Sequence, residues 1–111
     1  MDFIIRHQKD VFIVNVTFTR ATLNEASELK QILNKAIDEG FKKIVIDLQT
    51  VEYIDSTFVG VLVVILKKLN EENGKMRLVG FYPAVHTIVE KTKLHRTFEI
   101  FESTDEALQN L

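Results

Sequence analysis

The chain has 111 residues, 46% hydrophobic and 27% charged, a balance that suits one globular domain and excludes a disordered segment. Its formal net charge of -2 removes the basis for a general attraction to nucleic acid, and with no cysteine it has no disulfide, thiolate metal site or thiol nucleophile. The longest apolar run, Phe58 to Leu66, is about half the roughly 20 residues a membrane span needs, so no membrane insertion is expected.

Met1-Asp2-Phe3-Ile4-Ile5-Arg6 passes straight into strand-like sequence with no export-signal pattern, and a cytoplasmic location is expected. Phe3 to Arg6 and Val11 to Phe18 are rich in β-branched and aromatic residues around a polar Gln8-Lys9-Asp10, which predicts a hairpin. From Leu23 the period becomes helical. Leu23, Ala26, Leu29, Ile32 or Leu33, Ala36 and Ile37 mark one face, and Gly40 ends the helix. Ile44 to Leu48 reads as a central strand, and Thr50 to Ile54 carries the chain to Asp55. A second helix is expected from the Asp55-Ser56-Thr57 cap to about Asn73, with Gly74 as its stop. Arg77 to Gly80 suggests a strand, Pro83 to Lys91 a third helix, Phe98 to Phe101 a last strand, and Ser103 or Thr104 the cap of a final short helix through Leu108. Strands alternating with helices after an opening hairpin predict an α/β domain, a mixed central sheet packed with about four helices.

The chemistry concentrates at one elbow. Ile46 to Leu48 is apolar strand, Asp55-Ser56-Thr57 is polar, and Phe58 to Leu66 is apolar on every side of the helix before Lys67, Lys68, Asn70, Glu71 and Glu72 turn it polar. Apolar surface of this helix either fills the core or forms a docking patch beside Asp55 and Ser56. A plain N-cap is the commoner role of a serine before an apolar helix, and it can coexist with a modified hydroxyl.

Asp47-Leu48, Tyr53-Ile54-Asp55-Ser56-Thr57 and Gly60 together resemble the STAS domain of anti-sigma factor antagonists, whose hallmark is an Asp-Ser-Ser/Thr-Gly-Leu-Gly elbow after a central strand. The likeness extends over nearly the whole chain, so residues 1–111 are expected to form a single STAS-type domain. It implies a binding protein, not an enzyme, that holds an anti-sigma factor serine kinase while Ser56 is unphosphorylated and releases it once phosphorylated. Sigma-factor-dependent transcription would follow from that exchange. A serine phosphatase would reverse the modification. The resemblance places phosphorylation on Ser56, with Thr57 as a second hydroxyl, and a partner-binding surface on Asp55, Ser56, Thr57, Phe58, Val59 and Thr22. Two departures stand out. Phe58 occupies the first elbow glycine, where its ring is expected to project beside the hydroxyl, and Thr22 stands where the family has a partner-facing Asp. They motivate an alternative, a constitutive STAS scaffold or subunit of a larger complex such as a transporter-associated protein.

Other chemistry finds little support. A serine nucleophile elbow needs glycine at positions held by Ile54 and Phe58, so no catalytic residue is expected. His86 and Glu90 share a helical face without a His-Glu-x-x-His pattern, and Gly40, Gly60, Gly74 and Gly80 are too scattered to cradle a phosphate, so neither metal nor cofactor is expected. The basic cluster Lys91, Lys93, His95 and Arg96 reads as a solvated loop.

Overall fold

The computed structural model describes residues 3–80 and 98–111. Strand β1 (Phe3–Gln8) turns at Lys9, whose φ is 57°, into β2 (Val11–Val16), and the two pair antiparallel from Phe3↔Val16 to Gln8↔Val11. The expected hairpin is present. Beyond it, β4 (Lys43–Asp47), β6 (Lys75–Val79) and β7 (Glu99–Phe101) each join in parallel, giving a mixed five-stranded sheet in the order β1-β2-β4-β6-β7.

Alternation along the strands divides the core between two faces. Phe12, Val14, Ile44, Ile46, Met76 and Leu78 point to one side, where they pack against α1 (Leu23–Asp38) and α2 (Ser56–Glu71). Val11, Ile13, Val45 and Val79 point to the other, against the short α3 (Thr104–Leu108). Three helices are present among the described residues, against the four or so expected; the one anticipated from Pro83 to Lys91 lies outside them, as do His86, Glu90 and the cluster from Lys91 to Arg96.

Buried charge anchors α3. Asp47 accepts from Asn15 Nδ2 at 2.9 Å, the Gln49 backbone N–H at 2.9 Å and Thr104 Oγ1 at 3.2 Å, which fixes the start of the helix. Arg77 donates through Nη1 to the carbonyls of Ala107 at 3.1 Å and Gln109 at 2.6 Å, which fixes its end. The guanidinium also lies 4.9 Å from the centre of the Phe101 ring.

Two glycines are required by their surroundings. Gly40, at φ 101°, lets the chain leave α1 in a conformation that L side chains rarely adopt. A Cβ at Gly74 would stand 2.5 Å from the Lys42 carbonyl, so only glycine allows the turn after α2 to approach the sheet.

Candidate functional site

The segment before α2 contributes less strand than expected. Of Thr50 to Ile54 only β5 (Tyr53–Ile54) is extended, and it pairs in parallel with β3 (Arg20–Ala21) as a separate two-stranded sheet. Its consequence is positional: β3 leads into α1 and β5 into α2, so both helices begin at the same end of the molecule. They then run side by side as far as a hydrogen bond of 2.7 Å from Lys68 Nζ to Asn34 Oδ1.

Asp55 is the N-cap of α2. Its Oδ1 accepts from the Phe58 backbone N–H at 2.9 Å, and its Oδ2 accepts from the Leu23 backbone N–H of α1, also at 2.9 Å. One carboxylate therefore satisfies a donor at each of two helix starts, where the orphan N–H groups and the helix dipoles favour an anion. Thr22 is the N-cap of α1 within a capping box: its hydroxyl accepts from the Asn24 N–H at 3.4 Å and donates to Glu25 Oε1 at 3.0 Å, while its own N–H donates to the same carboxylate oxygen at 2.9 Å.

With Asp55 as cap, Ser56 becomes the first residue of the helix, and its hydroxyl is not needed to close the helix end. Ser56 and Thr57 are both exposed. Thr22, Asp55, Ser56 and Thr57 thus come together around the paired helix starts.

Phe58 and Val59 do not join that surface. Phe58 is 0% exposed and packs edge-on against Phe18, with ring centres 6.5 Å apart, and Val59 is also buried. The expectation that the Phe58 ring projects beside the hydroxyl is therefore corrected, and contact of the Phe58 or Val59 side chains with a partner is excluded in this conformation. The reason is helical geometry: with the cap at Asp55, positions 58 and 59 face α1 and the sheet. The buried ring fills the core and leaves the outer face of the elbow, with Ser56 and Thr57, open.

Much of the apolar helix is core as well. Leu62, Ile65 and Leu66 are buried, Val61 and Val63 are half-buried, and Val64 is 52% exposed. Exposed apolar surface at the elbow comes instead from Leu23, 65% exposed at the first position of α1, and Tyr53, 41% exposed on β5. The spacing of Leu23 predicts the buried face, but a residue in the first turn projects past the end of the packed layer. Tyr53 is covered on one side by Arg20, whose guanidinium carbon lies 4.4 Å from the ring centre.

No group of three or more His, Cys, Asp or Glu suited to a metal occurs among the described residues, and none of their helices is long and apolar enough to cross a membrane. His7 packs against Phe41 at 5.6 Å between ring centres.

A mixed sheet with two helices running in the same direction on one face, and a hydroxyl-bearing elbow where the second begins, defines the structural class. A STAS domain family model matches residues 2–107, and the chain belongs to this family. A Thermotoga neapolitana relative described as a candidate anti-sigma factor antagonist is 33% identical over 82 residues, which cover 74% of this chain and 73% of the relative. The Staphylococcus aureus anti-sigma-B factor antagonist is 30% identical over 78 residues, 70% of this chain and 72% of that one. Among solved structures, a Thermotoga maritima protein of the same description superposes with a TM-score of 0.90 at 29% identity, covering 96% of this chain and 92% of the other.

Proposed function

We propose that this chain is a cytoplasmic anti-sigma factor antagonist, a binding protein and not an enzyme, whose grip on an anti-sigma factor kinase is set by phosphorylation of Ser56. The observation that carries the reading is the exposed Ser56 at the first position of α2, released from capping by Asp55 and flanked by exposed Leu23 and Tyr53. The names of its relatives point the same way.

In this reading the kinase transfers the γ-phosphoryl group of ATP to Ser56 Oγ. ADP leaves, and the serine proton is lost. A serine phosphatase later hydrolyses the ester. The added group carries about 1.5 to 2 negative charges, and the start of α2 tolerates it, because a helix N-terminus favours an anion by roughly 0.3–1 kcal/mol. The fold survives the modification. Docking does not, since covering this spot would desolvate the phosphate next to Asp55, and an imperfectly paired buried ion costs several kcal/mol. About 1.4 kcal/mol is already tenfold in affinity. Thr57 is the second acceptor, and Thr22, Asp55, Ser56 and Thr57 lie on the docking surface.

The constitutive-scaffold reading loses one of its two motives, because the inward-facing Phe58 ring does not block the elbow. The test incubates the chain with purified anti-sigma factor kinases of the source genome and ATP, maps the phosphate by mass spectrometry and measures binding. Phosphate on Ser56, none in Ser56→Ala, and at least about tenfold weaker binding by the phosphorylated chain are expected. Modification confined to residues outside the elbow, or equal binding by both forms, would overturn the phospho-switch.

A further inference from the structure

We propose that the stacked Arg20–Tyr53 pair is the specificity-determining part of the docking surface and receives a carboxylate of the partner, so that the anti-sigma factor held by this chain presents an acidic segment to β3 and β5. The inference rests on the antagonist reading and adds to it the chemistry of the partner.

The pair is built by backbone, not by chance contact of long side chains. Register sets Arg20 beside Tyr53 and Ala21 beside Ile54. The Thr19 carbonyl accepts from the Glu52 and Tyr53 N–H groups at 2.8 and 3.0 Å, and the Ala21 carbonyl accepts from the Asp55 N–H at 3.0 Å. Ala21 and Ile54 are buried beneath this ladder, while Arg20 and Tyr53 face solvent. The same ladder runs directly into the two helix starts that carry Thr22, Asp55 and Ser56.

Among the described residues the Arg20 charge meets the Tyr53 ring, and no carboxylate lies within ion-pair distance of it. Two nearby acids, Asp55 and Glu25, are engaged by backbone N–H groups, and exposed Glu52 makes no ion pair with Arg20. Two helix N-termini add positive partial charge to the same end. Thr22 contributes a hydroxyl and no negative charge there.

A guanidinium held flat on an aromatic ring keeps its planar fork of donors free at its edge, and that fork matches a carboxylate in two hydrogen bonds. Arg and Tyr are also enriched among the residues that dominate interface energetics, and Tyr buries a large area with little loss of side-chain freedom. A partner with Lys or Arg opposite Arg20 would be repelled, so the pair selects among anti-sigma factors as well as attracting one.

The experiment measures binding of the purified anti-sigma factors of the source genome to the wild-type chain and to Arg20→Glu, Arg20→Lys and Tyr53→Ala, at about 50 and about 300 mM NaCl. Unchanged melting temperatures would show that the variants fold, as expected for two exposed residues. Arg20→Glu is expected to lose about tenfold or more in affinity and most of the salt dependence, with Arg20→Lys intermediate. Exchange of one partner Asp or Glu for Arg should restore binding to Arg20→Glu. If the wild-type chain binds an anti-sigma factor and Arg20→Glu binds it equally, with the same salt dependence, this inference fails and the antagonist reading stands. If the wild-type chain binds none of them, both fall.

Discussion

At the start of α2, Asp55 and Thr22 spend their side chains on helix ends and leave Ser56 and Thr57 in solvent. On the opposite face of the sheet Asp47 and Arg77 are 8% and 6% exposed, and each makes hydrogen bonds that reach one end of α3. Both regions concentrate polar groups where strands and helices meet. They differ in what is left over: the α3 anchor uses its charges internally, whereas the elbow keeps a hydroxyl, a guanidinium and a phenol ring available to a second molecule. Partnership within the fold, more than residue type, separates scaffold from surface here.

The contrast can be broken most severely from beneath the elbow. Phe58→Ala should cost about 3–5 kcal/mol in urea denaturation, because a fully buried ring is removed from the core. A loss below about 1 kcal/mol would mean that the ring is not core. Arg77→Ala tests the anchor and should cost about 2–3 kcal/mol, since two charge-assisted bonds to carbonyls are lost, with Arg77→Lys recovering only part. Hydrogen exchange should show the loss concentrated in α3.

Asp55→Ala removes a cap that serves two helices, and its expected cost of about 1–2 kcal/mol sits toward the upper end for caps. Asp55→Asn should recover part of it, because the amide has one acceptor oxygen for the two N–H groups. The smallest effect has the opposite sign. A Cβ at Gly60 would meet nothing within 4 Å, so Gly60→Ala should stabilise the chain by about 0.5–1 kcal/mol. A loss of stability on urea denaturation would mean that the space beside Gly60 is filled.

Much of the scaffold was legible because its signals are local. The hairpin around Lys9, the helix from Leu23, the central strand and the cap before α2 are written in residue spacing and turn chemistry, and each was found near its observed place. Elements dependent on distant pairing were harder. Thr50 to Ile54 looked like one extended stretch, yet only Tyr53 and Ile54 pair, because only they meet β3. The inward turn of Phe58 has a related cause. As a substitute for glycine it suggested an outward ring, and Phe18, 40 positions earlier in the numbering, is what receives it. Arg20 and Tyr53 carry no motif at all; in sequence they are only a cation and an aromatic ring placed just upstream of two helix caps.

By itself the sequence determined the alternation of strands and helices, the apolar faces and the polar elbow, since periodicity and capping act over a few residues. Tertiary structure alone decided which elbow residue caps, which ring turns inward and which groups share a surface. The Asp55 carboxylate bonds to the Leu23 N–H across 32 positions of chain, and the neighbours that draw Phe58 inward exist only once two helices have packed on one sheet.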